Sequence, residues 1–118
     1  MAKIIFSIPY PPSVNAMWRT IRGRPILSAH GRSYRIAVVH ELLVRKISML
    51  DGRLSMCIRM FPPDKRRRDV DNVAKGVLDA LQHAKVYRDD NQIDKLCIER
   101  CPPDPHHPRV EITLDEIK

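Results

Sequence analysis

The sequence predicts a small α+β domain in the order β-α-β-α-β-β, with two helices packed on one mixed sheet. Three observations lead there. Residues 54–61 and 109–114 alternate apolar and polar side chains, the period of a strand with one wet face. Residues 29–47 and 69–84 repeat apolar side chains at three and four, the period of an amphipathic helix. A chain of 118 residues, 43% hydrophobic and 30% charged, suits a single folded domain over 1–118 with one modest core.

Each element has a local reason. Lys3–Ile8 reads as a short strand, stopped by Pro9-Tyr10-Pro11-Pro12 because proline fixes φ and removes a ladder donor. Residues 9–27, rich in Pro and Arg, read as a long irregular segment of the kind that carries function in a small domain. Ser28 is the expected N-cap of a helix from about Ala29 to Ile47, with Ile36, Val39, Leu42/Leu43 and Ile47 as its apolar stripe. Asp51-Gly52 signals a turn. In the next strand Leu54, Met56, Ile58 and Met60 face away from Arg53, Ser55, Cys57 and Arg59, and Pro62-Pro63-Asp64 closes it.

The second helix starts at Asp69 or Asp71 and runs to Ala84, burying Val70, Val73/Ala74, Val77, Leu78 and Leu81. An aspartate at its start suits both capping and the helix dipole. Gln92–Arg100 is a strand with a weaker pattern, Ile93 and Cys97 on one parity and Leu96 and Ile98 on the other. Pro102–Pro108 is a loop, and Arg109–Leu114 a last strand with Val110, Ile112 and Leu114 on one side.

Charge narrows the function. Lys and Arg number 21 against 14 Asp and Glu, a net +7. That balance points to a polyanion, either nucleic acid or an anionic membrane surface. Lys3, Arg19, Arg22, Arg24, Arg32 and Arg35 all precede Glu41, the first acidic residue. So uneven a distribution marks a binding surface. A membrane surface fits poorly, because the basic helix 29–47 carries Glu41 and no aromatic anchors on its polar face.

No apolar run approaches the roughly 18–20 residues of a membrane span. The N-terminal apolar segment is too short for a signal peptide. Three cysteines make no disulfide framework, so the expected location is the reducing cytoplasm. Six aromatic residues cannot build an extended base-stacking platform, and four glycines leave no phosphate-cradling loop. No small-molecule cofactor is expected. Cys97, Cys101, His106 and His107 invite a zinc reading. Cys97 and Cys101, however, are about 13 Å apart on an extended strand, too far for one ion unless the strand breaks; the plainer reading is small buried cysteines and a surface histidine pair.

The stretch Asp64-Lys65-Arg66-Arg67-Arg68-Asp69-Val70-Asp71-Asn72-Val73-Ala74-Lys75 carries the chemistry. Asp69 and Asp71 are spaced i, i+2, and in extended chain such side chains share a face about 6.5–7 Å apart at Cα. Two carboxylates so placed can grip one hard cation such as magnesium, which takes a few carboxylates, waters and substrate phosphate oxygens. Asp89-Asp90-Asn91 supplies two more acids beyond the helix. Simpler readings exist for each piece: a cap at Asp69 or Asp71, an i, i+4 ladder through Asp71, Lys75 and Asp79, and an ordinary acidic turn. They explain poorly why four cations abut two aspartates. A phosphodiesterase needs cations to seat the polyanion and carboxylates to hold the metal. Three aspartates around one divalent ion leave a net charge of about −1, which Lys75 would neutralise.

The run Arg66–Asn72 through Lys75 and Asp79-Ala80-Leu81, followed by Asp89-Asp90, resembles the RusA family of Holliday junction resolvases. Pro11-Pro12-Ser13-Val14-Asn15 and the Arg-rich segment after it match that family's opening pattern, so the resemblance covers essentially the whole chain. It implies that Asp69, Asp71 and Asp90 are magnesium-binding catalytic carboxylates and Lys75 a catalytic lysine. It also implies a homodimer that nicks four-way junctions symmetrically in strands of like polarity, in DNA recombination and repair. A four-way junction has approximate two-fold symmetry and must be cut twice, which gives a C2 dimer a physical motive. The apolar residues of strand 54–61 are candidates for its interface. Arg19, Arg22, Arg24, Arg32, Arg35, Lys65, Arg66, Arg67 and Arg68 are then the residues expected on junction phosphates. Two rivals remain at this point: a non-catalytic basic nucleic-acid-binding module, and a magnesium nuclease with another DNA target.

Overall fold

In the computed structural model, which describes residues 3–117, the alternating stretches become one four-stranded sheet in the order β1-β6-β4-β5. Strands β1 (Lys3–Pro9), β4 (Arg53–Phe61) and β6 (Arg109–Ile117) run antiparallel to their neighbours, whereas β5 (Ile93–Arg100) lies parallel to β4. The sheet is mixed, as expected. Its register stacks apolar residues in rows: Phe6, Ile112, Ile58 and Ile98 form one, and Ile4, Leu114, Met56 and Leu96 the next. Ile58 and Ile112 are fully buried; each such side chain contributes about 1.5–3 kcal/mol.

This core occupies one face of the sheet only. Helix α2 (Ala29–Val44) packs on β1, helix α3 (Val70–His83) packs on β5, and the two helices touch. The other face is wet, with Arg59 pairing Glu111 at 3.3 Å and Glu99 at 3.6 Å. Leu54, Met56, Ile58 and Met60 fill the chain's own core, so they are not an interface with a second copy. Among the described residues no helix is long and apolar enough to cross a membrane.

Helix α2 corrects the expected stripe. Tyr34, Val38 and Leu42 point inward, while Ile36 and Leu43 are 70% and 71% exposed. Residues 36–44 carry apolar side chains nearly all round, so two stripes fit the period. The choice is made outside the helix, by the Tyr34 hydroxyl donating to the Pro9 carbonyl at 2.7 Å. The helix also stops earlier than Ile47. Lys46 takes a left-handed φ of 56°, and the N–H of Ile47 returns to the Leu42 carbonyl at 3.1 Å. That is a Schellman end with an apolar residue behind it. Helix α3 ends the same way through Lys85 and Val86.

Residues 9–27 are not the irregular segment expected. They form a single-turn helix α1 (Val14–Met17), capped by Ser13, and a hairpin of β2 (Trp18–Ile21) and β3 (Arg24–Leu27). Arg22 and Gly23 both have positive φ, 52° and 75°, the requirement of a two-residue type I′ turn. Ser28 fixes the stem. Its N–H donates to the Met17 carbonyl at 2.8 Å, and its hydroxyl donates to the Ala16 carbonyl and accepts from Gly31 N–H. At Gly31 a Cβ would sit 2.6 Å from the Met17 oxygen, so only glycine permits this approach of α2 to the stem.

The β4-α3-β5 crossover positions the site. Because β5 is parallel to β4, α3 begins beside the end of β4, and the chain returns through a 3₁₀ turn, Asp90–Gln92, to the start of β4.

Candidate active site

The basic loop between β4 and α3 is organised by Asp64. Its carboxylate accepts the Arg66 N–H at 2.9 Å and the Arg68 guanidinium at 2.9 Å, and these bonds hold it below the usual carboxylate range. Arg68 donates further to the carbonyls of Asp64 and Arg66 and lies 5.7 Å over the Tyr10 ring. Arg100, at the end of β5, donates to the Arg68 carbonyl. Of the four consecutive cations, then, Lys65, Arg66 and Arg67 face solvent, while Arg68 is turned into the loop. The side chain of Arg66 is 83% exposed against 24% for Arg68.

Asp69 stands at the N-cap position of α3, yet its side chain makes no capping hydrogen bond. Asp71, in the first turn, accepts only the Asn72 N–H at 3.0 Å. Lys75 is exposed one turn on. The i, i+4 ladder does not form: among the described residues Asp71, Lys75 and Asp79 enter no ion pair. Two hard oxygen donors thus stand open at the positive end of a helix dipole, where negative charge is tolerated. Asp69, with Asn72 and Val73, borders a cleft of about 590 Å³, and the stretch Pro11–Asn15 forms its opposite wall.

Tyr10 separates this cleft from a cavity of about 390 Å³ bordered by Met60, Arg67, Val70 and Arg100. Partial burial pushes the Tyr10 hydroxyl up, against the opposing charges of Arg68 and Arg100. Neither Tyr10 nor Arg100 is marked by the sequence reading; a tyrosine between prolines beside the Pro11–Asn15 run was the available signal.

Asp90 lies elsewhere. Asp89 caps the 3₁₀ turn, its carboxylate accepting the Asn91 N–H at 2.9 Å while Gln92 accepts the Asp89 N–H. The Asp90 N–H donates to Gln82 Oε1 at 3.0 Å, beside the last turn of α3. Desolvation first, then a hydrogen bond with Asp89 and the charges of Asp89 and Asp79, raise its carboxyl above the usual range. At about 1.5 Å rise per residue, Gln82 is roughly 16 Å along α3 from Asp71. One chain therefore keeps Asp69, Asp71 and Lys75 within the first turns of α3 and leaves Asp90 at its other end; Asp71 is helical, so the extended i, i+2 geometry expected for Asp69 and Asp71 is not the one found. Among the described residues no group of three His, Cys, Asp or Glu side chains is placed to hold a metal. The same finding removes the zinc reading: Cys97 is exposed rather than buried, Cys101 is buried, and His106 and His107 lie on an exposed loop.

The remaining cations divide too. Arg19, Arg22 and Arg24 are exposed on the β2–β3 hairpin. Arg32 donates to the Leu27 carbonyl at 2.9 Å, and Arg35 lies 5.9 Å over the Trp18 ring, with its Nε buried and unpartnered. Both brace the hairpin stem, Arg32 while remaining exposed and Arg35 while half-buried at the edge of a cavity it shares with Trp18 and Asp79.

The chain matches the family model described as Endodeoxyribonuclease RusA over residues 9–115. It is 38% identical over 96 residues to the crossover junction endodeoxyribonuclease rusA of Enterobacteria phage HK97, 80% of each chain. The enzyme of that name from Enterobacteria phage 82 is 37% identical over 115 residues, 94% of this chain and 92% of the relative. Crossover junction endodeoxyribonuclease RusA of Escherichia coli strain K12 is 36% identical over the same shares. With the family match running through the basic loop, α3 and the Asp90 turn, the chain belongs to the RusA family of endodeoxyribonucleases.

Proposed function

We propose that this chain is a magnesium-dependent endodeoxyribonuclease that resolves four-way DNA junctions by paired symmetric nicks, as a homodimer, in recombination and repair. One observation carries the reading: two exposed carboxylates at the start of α3, Asp69 without a capping bond and Asp71 in the first turn, lie within a few residues of the exposed cations Lys65–Arg67. The names of the relatives, crossover junction endodeoxyribonucleases, support the substrate.

Lys65, Arg66 and Arg67 seat the phosphate backbone beside α3, with Arg19, Arg22 and Arg24 gripping it farther out. Asp69 and Asp71 are hard oxygen donors and suit magnesium, with Asp90 as the third carboxylate. The bound ion would acidify a water and offset charge on the phosphate. Lys75, one turn from Asp71, stabilises the negative charge that develops on the phosphate. The distance of Asp90 from Asp71 gives the homodimer a second role: a two-fold partner can set its own Asp90 beside Asp69 and Asp71 of this chain.

A synthetic four-way junction tests the reading. The protein is expected to bind it in magnesium and in EDTA, to nick it only in magnesium, and to leave linear duplex uncut. Binding without cleavage in any divalent metal would reduce it to a binding module, and equal cutting of duplex would make it a general nuclease. The shared site has its own test. Asp71→Asn and Asp90→Asn are each expected to be inactive, but mixed dimers of the two recover one intact site and single-strand nicking. No recovery on mixing would place the three carboxylates within one chain.

A further inference from the structure

The β2–β3 hairpin stands outside the four-stranded sheet as a two-stranded ribbon, held at its stem by α1 and α2 and by Trp18 on the core, with its outer face bare. Its register puts Arg19 opposite Ile26 and Ile21 opposite Arg24. Side chains alternate along a strand, so these four share one face. Ile21 and Ile26 are 45% and 41% exposed on it. Arg22 occupies the tip in a left-handed conformation that costs a non-glycine residue free energy, and it places a third cation there. Trp18–Leu27 holds no acidic residue.

What covers this face is settled by its charge and its edge. The arginines flank the isoleucines on the same face, which matches a phosphate backbone running past exposed base steps and repels a second copy of the same ribbon. Pro25 lies on β3 opposite Thr20, a pair that does not share hydrogen bonds in a hairpin closed by Ile21 and Arg24. The missing N–H of Pro25 is therefore one that would point outward, so that edge is blunted against strand addition.

We propose that this hairpin is an unstacking wedge for the branch point of junction DNA. Arg19, Arg22 and Arg24 hold it on the phosphates, and Ile21 and Ile26 enter between base pairs where the arms meet. Aliphatic side chains inserted between base steps kink and open DNA in this way. The cost of insertion is lowest where stacking is already interrupted, so the wedge recognises structure without reading sequence. This deepens the junction reading above and rests on it for the substrate.

The test uses a four-way junction with 2-aminopurine at the branch-point pair, titrated in EDTA so that no cleavage is needed. Binding of the wild-type protein is expected to raise the fluorescence, and the same probe placed well inside an arm is expected to stay dark. Absence of the rise at the branch point overturns the proposal without any variant. Ile21→Ser/Ile26→Ser keeps the arginines, so its affinity should stay within about threefold. The fluorescence rise should vanish, and nicking of the intact junction in magnesium should slow about tenfold. A junction with unpaired central nucleotides should restore the rate, and Ile21→Val/Ile26→Leu should behave as wild type. A full rise with the serine variant overturns the wedge. So does a serine variant that sediments as a monomer where the wild type is a dimer, which would assign the isoleucines to a second copy. A wild-type protein that gives the rise but never nicks supports the wedge and sinks only the nuclease reading.

Discussion

At its first turn α3 leaves Asp69 and Asp71 open to solvent, whereas beyond its last turn Asp89 is occupied by a cap and Asp90 is fixed by Gln82. The physics of the two ends differs. Two neighbouring carboxylates at the N-terminus meet the positive end of the helix dipole. Near the C-terminus desolvation, and after it the nearby carboxyl groups of Asp89 and Asp79, make the Asp90 carboxyl hold its proton more tightly. One end leaves its carboxylates exposed beside helix N–H groups, and the other holds three carboxyl groups close to one another.

The largest effect is expected at the open end. Asp71→Asn should keep junction affinity in EDTA within about twofold and lower single-turnover nicking by about 100-fold or more, since on the proposed reading it removes a carboxylate that holds the magnesium. Nicking at the wild-type rate would erase the distinction between the two ends. Gln82→Ala should do less and do it differently. It removes the acceptor for the Asp90 N–H, so the third carboxylate is loosely set, and the magnesium needed for half-maximal rate should rise roughly tenfold. Saturating magnesium should restore the Gln82→Ala rate and leave Asp71→Asn inactive. A Gln82→Ala defect that magnesium cannot rescue would make Gln82 a structural support only.

The same contrast explains what the sequence reveals. Asp69, Asp71, Lys75 and the cations before them are neighbours in the chain, so the sequence alone marks them as one group around the start of α3. Asp90 is separated from them by a crossover whose path, set by β5 lying parallel to β4, carries it to the other end of the strand pair. Arg68 is indistinguishable in sequence from Arg66 and Arg67; its inward turn depends on Asp64 and Tyr10. The sheet is legible because β4 and β6 each have one wet face and one buried face, which imposes alternation. Beyond Trp18, which packs against the core, the β2–β3 hairpin projects into solvent, so only Arg22-Gly23 hints at it. The phase of α2 is lost for the opposite reason: apolar residues surround it, and Tyr34 and Gly31 decide from outside the pattern.

The smallest expected effect concerns stability, and it has opposite signs at the two ends. For Asp90 the folded carboxyl binds its proton more tightly than the unfolded one. Above the ordinary carboxylate range the folded state is therefore penalised, and stability falls as pH rises through that window. Asp90→Asn removes the penalty, so in EDTA at pH 7 its thermal midpoint should lie above that of wild type. At about pH 3 the wild-type carboxyl is itself protonated and the difference should close. Asp71→Asn takes a negative charge from the first turn of α3 and should lower the pH 7 midpoint, by the equivalent of about 0.3–1 kcal/mol. Both variants lose a carboxylate and one unit of negative charge, so net charge cannot separate them; only position along the helix can. Midpoints moving in the same direction would mean that overall charge, and not the two ends of α3, governs what these aspartates cost the fold.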